Sequence, residues 1–498
     1  MFLTKIRTIL YINYFMLNLI TSRRLFLRKS AGLAAAAFAG PNLLTKGQNQ
    51  AGKKLNLAVI GANGKGTADT KAVTLEHNIV ALCDVDQLRL DEAAQLRSTH
   101  HKDSGVEDIA PKLYQDYRKM FDEMGSQIDG VIISTPDHTH YVAAMHALKL
   151  NKHICVQKPL CNYISEVRNL HQTAKKAGVV TQMGNQGRTM DGQRYAKEWI
   201  EQGAIGTLKE IRLWTNRPIW PQGPMTKTPS PTPANINWDA WLSCEPSEEH
   251  FDFVLPEGVK GNKHGNTVHP FNWRGWWQFG SGALGDMGCH IMDATFSILG
   301  QIIPEKIDAT SSPISALNAP VWADLIYHMP AGKHPAIKVT WNDGYKNGKP
   351  NKPERPPFMD SELAIKAFDK AQSGMAFIGT EGTIFEGEAY CQSPVIYPEA
   401  KYTDVRIAMK EGRIQKTETR SIAPNNPQGE WAHHIVNGGA PSSNFDYAAP
   451  LCEFVLLGNL AIRSQQSIQW DTAGMKVTNV ESANQFITRP SYREGWKA

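Results

Sequence analysis

The chain reads as an α/β protein in two parts: a doubly wound parallel sheet, then an α+β domain built on a large, mostly antiparallel open sheet. Three observations predict this. Between residues 54 and 183, short apolar runs alternate with helical stretches, the pattern of parallel βαβ units. A glycine-rich turn follows the first of those runs directly. After residue 183 the alternation stops, and longer β-type runs surround one strongly helical segment over 283–299.

In the first part the runs are 55–60, 79–84, 130–134, 153–156 and 178–183, with helical composition over 87–97 and 140–150. Short, almost continuous apolar runs are what strands covered on both faces require. In the second part the runs are 208–215, 306–312, 321–328, 337–342, 376–379 and 383–385. Residues 216–280 hold nine of the 29 prolines and are too long for a simple connection, which predicts a functional loop region. The expected organisation is a leader over 1–39, a polar linker over 40–53, a nucleotide domain over 54–183 and a substrate and assembly domain over 184–498.

The 498 residues are 41% hydrophobic and 20% charged, an ordinary globular composition. Residues 1–39 carry six Lys/Arg and no Asp/Glu, so the formal charge of +5 belongs to the leader and the remainder is about neutral. A body without basic surplus argues against nucleic acid as a partner. In the leader, Arg23-Arg24-Leu25-Phe26-Leu27 precedes a small apolar run ending Ala37-Phe38-Ala39, a twin-arginine-type export pattern that predicts a periplasmic protein exported already folded. Its apolar pieces are shorter than the roughly 20 residues of a spanning helix, so no stable membrane span is expected. Seven scattered cysteines without C-x-x-C spacing suggest no disulfide framework.

Gly61-Ala62-Asn63-Gly64-Lys65-Gly66 follows the first run and should open a helix. Glycines here allow a tight turn and close backbone approach to a pyrophosphate. Asn63 takes the middle glycine position of G-x-G-x-x-G, where its tolerance of unusual backbone angles is useful. A P-loop is the competing idea, and it fails because Thr67 follows Gly66 where that motif has Lys. Asp84 ends the second run, 18 residues after Gly66, where a carboxylate can bind both adenosine ribose hydroxyls and repel the extra phosphate of NADP. Its plain alternative is a helix cap. Together these predict a Rossmann domain that prefers NAD.

Two further blocks carry chemistry: Val156-Gln157-Lys158-Pro159-Leu160 after a β run, and Gly282 to Asp293 opening the second-domain helix. With the glycine turn and Thr135-Pro136-Asp137-His138-Thr139-His140, they resemble the Gfo/Idh/MocA family, which includes glucose-fructose oxidoreductase and inositol dehydrogenase. The family's E-K-P stands here as Gln157-Lys158-Pro159. The resemblance implies that Ser134, Thr135, His138, Gln157 and Lys158 line the dinucleotide cleft beside Gly61, Asn63, Gly64, Gly66 and Asp84. It also implies that Lys158, Asp286 and His290 are catalytic. Asp286 and His290 are four apart on the predicted helix and share a face. A neutral imidazole suits removal of a hydroxyl proton, and the Lys158 ammonium would stabilise the developing alkoxide. A helix cap and a core histidine are the plain alternatives for these two.

On the substrate side, Asn185, Gln186 and Arg188 follow the last run of the first domain, where a structured turn is an equal reading. Seven of the 13 tryptophans fall between 214 and 277, and Trp220 and Arg274 are the expected sugar contacts there. Core packing is the commoner role of any single Trp. None of the histidine pairs has metal-ligand spacing, so no metal is expected. The resemblance implies a carbohydrate substrate and a homodimer or homotetramer. Because NAD is scarce outside the cytoplasm, an exported dehydrogenase should hold and recycle its nucleotide. Two alternatives use the same residues: cleavage of a glycoside through transient oxidation, and sugar binding without catalysis around a structural NAD.

Overall fold

The computed structural model describes residues 52–497. The leader read over 1–39, and the linker over 40–53 except its last two residues, lie outside the described residues.

Six strands form the first sheet: β1 (Asn56–Ile60), β2 (Asn78–Cys83), β3 (Lys112–Tyr114), β4 (Gly130–Ile133), β5 (His153–Val156) and β6 (Thr181–Met183). Between them run α1 (Lys65–Lys71), α2 (Gln87–Asp103), α3 (Tyr117–Met124), α4 (Asp137–Lys149) and α5 (Ile164–Ala177). All pairings are parallel, in the order β3-β2-β1-β4-β5-β6. Helices cover both faces, and β4 is buried at every position, which explains its unbroken apolar run. The strand order reverses between β1 and β4, so a crevice opens at their C-terminal ends.

The second part begins with α6 (Gly192–Glu201) and β7 (Leu208–Thr215), then an insert containing β8 (Thr226–Pro229), α7 (Trp238–Leu242) and β9 (Phe251–Val254). Next come α8 (Gly282–Ile298), β10 (Lys306–Ser311), β11 (Trp322–Met329), β12 (Ile337–Lys346), β13 (Lys349–Pro350) and α9 (Glu362–Lys370). The chain continues through β14 (Ser373–Gly379), β15 (Thr383–Glu386), β16 (Val395–Tyr397), α10 (Glu399–Lys410), α11 (Pro427–Asn437) and α12 (Phe445–Ser464). It closes with β17 (Ile468–Asp471) and β18 (Lys476–Val477).

Ten of these strands make one sheet, and among the described residues its sole parallel pairing is β7 with β12. Burial alternates along β11, with Ala323, Leu325, Tyr327 and Met329 turned to the covered face. On that face lie α8 and α12, packed on each other and buried along nearly their whole length. The α12 helix is long and apolar enough to cross a membrane, but most of it is enclosed by α5, α8 and β10.

The two sheets share one continuous core, and α11 strengthens the join. Trp431 of that helix packs against Gly130, where any side chain would meet the indole at 2.8 Å, and it sits in the core beneath β1 and β4. Residues far down the chain therefore complete the nucleotide half. The cysteines are all buried and unpaired, in keeping with the small-hydrophobe role of a core thiol.

Candidate active site

A cavity of about 330 Å³ opens at the C-terminal ends of β1, β2, β4 and β5. Its floor is the glycine turn. Gly61 has φ +80°, and a Cβ there would lie 2.7 Å from the Ser134 carbonyl; a Cβ on Gly66 would lie 1.8 Å from the Gly61 oxygen. The turn can pass this close only without side chains, which leaves bare main chain facing the cavity. The positive angles fall on Gly61 and Gly64, not on Asn63. Asn63 is used differently from the expectation of an unusual backbone: its Nδ2 donates to the Arg89 carbonyl and Glu92, tying the turn to α2.

Asp84 lines the cavity at the end of β2 and accepts from the backbone N–H groups of Asn63 (3.3 Å) and Asp86 (3.2 Å). Burial pushes its carboxyl up, against those N–H groups and the nearby His269. The helix cap is its neighbour Asp86, which accepts from the N–H groups of Leu88 and Arg89. These features fit a dinucleotide: glycines that bare the main chain of the turn for the pyrophosphate, and a strand-end carboxylate for the ribose.

Beneath the cavity Asp69 gathers four donors. Ser134 Oγ and Gln157 Nε2 each donate at 2.7 Å, Gln428 Nε2 donates at 2.9 Å, and Lys65 pairs with it. This accounts for Gln157 in place of the family's Glu. A carboxylate there would face a buried carboxylate, whereas the amide offers it a hydrogen.

At the inner end of the cavity Lys158 reaches across to α8. Its Nζ donates to the Asp286 carbonyl at 2.7 Å and to Asp286 Oδ1 at 2.9 Å, and Arg274 Nε approaches the same oxygen at 3.3 Å. Burial works against an ionised Asp286, but the Lys158 and Arg274 cations outweigh it and hold the carboxyl well below the usual range. Arg274 itself lies 4.4 Å from the Phe271 ring and 4.3 Å from the Trp273 ring. One turn beyond Asp286, His290 is buried, its Nδ1 2.8 Å from Asn185 Oδ1 and its ring edge-on to Tyr390 at 4.9 Å. Burial and the Lys158 charge lower its pKa to about 3, so the imidazole is neutral at ordinary pH. Lys158 and Asp286 are wall residues of the cavity; His290 is not among them.

Several expected contacts are placed elsewhere. His138 does not line the cleft: it is fully buried, its ring nitrogens facing the Trp241 (2.9 Å) and Phe279 (3.3 Å) carbonyls, and burial lowers its pKa to about 3. The wall residues of that motif are Thr135, Pro136, Asp137 and Thr139; Asp137 accepts from Ser281 Oγ at 2.6 Å, and burial pushes it up to about 7. Arg188 turns inward, its guanidinium 3.9 Å from the Tyr447 ring, and Asn185 is wholly buried. Gln186 is half-buried in the same turn, away from the cavity wall. Trp220 is buried and donates to Gln222 at 2.7 Å, behind the cavity and not in it.

The insert roofs the nucleotide end. Asn235 Nδ2 and His269 Nε2 reach the two Asp86 oxygens at 2.7 and 3.0 Å, and Asn237 N–H bonds the Val85 carbonyl. Most of its aromatic residues, including Trp238 and Trp276, pack on one another as a small core, and of its tryptophans Trp241 and Trp273 touch the cavity, beside Phe271, His264 and His269. Sequence reasoning missed this roof because its partner surface is a loop some 150 residues earlier.

Residues 55–185 match the oxidoreductase family model of the NAD-binding Rossmann fold, and residues 213–344 match that family's C-terminal α/β domain. An uncharacterised oxidoreductase of Bacillus subtilis (strain 168) is 30% identical over 179 residues, 34% of this chain and 44% of its own. Myo-inositol 2-dehydrogenase of Thermotoga maritima is 25% identical over 169 residues, 34% of this chain and 47% of its own. The chain thus covers about half the length of these curated relatives. Among solved structures, the WlbA dehydrogenase from Bordetella pertussis with NADH and UDP-GlcNAcA superposes with a TM-score of 0.53 at 13% identity, over 84% of this chain and 99% of that one. Levoglucosan dehydrogenase with NADH and levoglucosan gives 0.52 at 16%, over 84% and 99%. With both its nucleotide half and its sheet half matched, the chain belongs to the Gfo/Idh/MocA oxidoreductase family and carries that family's NAD-binding Rossmann domain.

Proposed function

We propose that the protein oxidises a secondary hydroxyl of a sugar or glycoside, using an NAD that stays in the cleft between turnovers. The observation that carries this is the Lys158–Asp286 pair at the cavity wall, which joins the nucleotide half to the helix that bears His290 one turn further on. Gly61, Gly64 and Asp84 at the cavity wall would hold the dinucleotide, with Gly66 packed against the Gly61 carbonyl behind them, and NAD, when bound, supplies a hydride acceptor. Lys158 uses two of its three N–H donors on Asp286, leaving the third to hydrogen-bond the reacting oxygen and stabilise it as it becomes an alkoxide. His290 takes the hydroxyl proton at Nε2, which has no hydrogen bond among the described residues. Asp286, held ionised, keeps the ammonium aimed and balances its charge.

The sugar would enter on the side of Tyr390, a half-buried residue whose ring lies 4.9 Å from that of His290. A polyol or sugar substrate is supported by the names of the relatives, which include inositol and levoglucosan dehydrogenases. Nucleotide retention is supported by the roof over Asp86. Export in folded form and assembly into a dimer or tetramer belong to the same proposal, and cell fractionation and light scattering test them.

The test has two steps. Mass spectrometry under native and denaturing conditions should find NAD co-purified with the protein. A panel of sugars and polyols should then reduce that nucleotide, read by nicotinamide absorbance, and His290→Ala should slow the reduction about 10²–10⁴-fold. A variant that reduces the cofactor as fast as the parent would sink the assignment of the base.

A further inference from the structure

Asn185 lies in the turn after β6, and its side chain enters the protein beneath α8. Its Nδ2 donates to the Cys289 carbonyl at 2.8 Å and to Asp293 Oδ2 at 2.9 Å. Its Oδ1 is 2.8 Å from His290 Nδ1. Cys289, His290 and Asp293 all belong to α8, so one amide bridges a full turn of that helix.

The direction of every bond in this chain is set by chemistry. A backbone carbonyl can only accept, so the atom of Asn185 facing Cys289 must be the NH₂ group, whichever way an isolated amide would be assigned. The other atom is then the carbonyl oxygen, which can only accept. The hydrogen between it and His290 therefore belongs to the imidazole, on Nδ1. A neutral imidazole has one N–H, so Nε2 carries a lone pair. Asp293 is in turn held by the Tyr447 hydroxyl, and the Tyr447 ring carries the Arg188 guanidinium at 3.9 Å. Burial pushes Asp293 up, while Arg188, the Tyr447 hydrogen bond, the Gln193 hydrogen bond and Arg194 act in the opposite direction.

We infer that Asn185 is a positioning residue which, held by Asp293 and the Cys289 carbonyl, locks His290 in the Nδ1–H tautomer and so keeps Nε2 free to accept a proton. The inference rests on the reading of His290 as base and deepens it. A carboxylate in place of Asn185 would orient the ring equally well but would also favour the imidazolium. The amide fixes the tautomer without adding charge. The other charged groups facing His290 are Lys158, Asp286 and Lys65, and their net effect also keeps the ring neutral.

The direct test needs no substrate. In ¹⁵N-histidine-labelled full-length protein carrying its nucleotide, the resonances lost in His290→Ala identify the ring. They should show a protonated Nδ1 and an unprotonated Nε2. A ring protonated at Nε2 overturns the inference.

The second test exchanges the two side chains, Asn185→Asp with Asp293→Asn, which preserves an acceptor opposite His290 and places a carboxylate there. The His290 titration should move up by about 1–3 pH units, the effect of an opposite charge at that range. An unchanged titration in folded protein overturns the inference.

Kinetics separate this from the underlying reading. With glucose, myo-inositol and levoglucosan as probes, Asn185→Ala should lower kcat about 10–100-fold with KM little changed, the usual scale for losing a group that orients a reactive imidazole. Parental kcat in Asn185→Ala beside an inactive His290→Ala overturns the relay alone. Parental activity in His290→Ala removes the base assignment, while the labelled spectrum still decides the tautomer.

Discussion

The cavity has two unlike walls. On one side, Gly61, Asp84, Ser134 and Lys158 stand at or just beyond the ends of parallel strands. On the other, the insert supplies Trp241, His269, Phe271 and Trp273 from loops and short elements. A parallel strand ends where its sheet ends, so a residue just after it is delivered to the crevice by topology alone. A residue in the insert has no such constraint. Trp220 was expected to touch sugar and instead is buried away from the cavity wall, while His269 lines the cavity and holds Asp86. The ends of β1, β2, β4 and β5 beside the crevice deliver wall residues by topology, whereas membership of the aromatic-rich loop does not say which residue reaches the cavity.

The sharpest challenge to this contrast is Gln157→Glu. If the strand-end wall is organised around Asp69, a second buried carboxylate there should cost about 1–3 kcal/mol and loosen the nucleotide, seen as a lower Tm and less co-purified NAD. Adding Asp69→Asn should restore both. A single variant as stable and as NAD-loaded as the parent would remove Asp69 from its central place.

A smaller effect should come from the roof. His269→Ala removes one of the contacts holding Asp86, and NAD should leave about 3–10-fold faster in a stopped-flow exchange experiment. Acid should mimic it. Burial would raise Asp86, but its hydrogen bonds to His269 and Asn235 hold it at about 2. A depressed carboxyl stabilises the closed roof above its ordinary range, near pH 4, and that contribution fades as pH falls through about 2. Nucleotide release should therefore accelerate on acidification below about pH 4, and less so in the His269 variant. Release that is independent of His269 would mean the roof does not retain the cofactor.

Least should change in Trp220→Phe. The ring volume is largely kept and one hydrogen bond to Gln222 is lost, so stability should fall by about 1 kcal/mol with sugar KM unchanged. A large rise in KM would return this tryptophan to the substrate and weaken the contrast between the walls.

Within the TPDHTH motif the same lesson holds at single-residue scale. His138 and Asp137 are adjacent on the first turn of α4, yet the helix turns Asp137 toward the cavity and His138 into the packing between Trp241 and Phe279. The motif marked the place but could not say which neighbour faced the ligand. Asn185 and Arg188 show the complement. Read as polar residues after a strand, they looked like ligand contacts, but their partners Cys289, Asp293 and Tyr447 lie more than 100 residues away and draw them inward.

The short edge strand β3, with Lys112 and Leu113 exposed, carries no apolar run and was not legible. Local patterns were enough for the other five strands of the nucleotide half, for α2 and α4, for the glycine turn, for the strand-end Asp84 and Lys158, and for the i, i+4 pairing of Asp286 with His290. Each depends on contacts within one βα unit or one helix, where chain connectivity leaves few choices. Folding had to settle the rest: which polar groups face the cavity, which nitrogen of His290 holds its hydrogen, what covers the cofactor, and why Gln157 replaces a carboxylate. Those outcomes depend on groups brought together from distant parts of the chain, and a buried donor or acceptor takes its meaning from the partner that satisfies it.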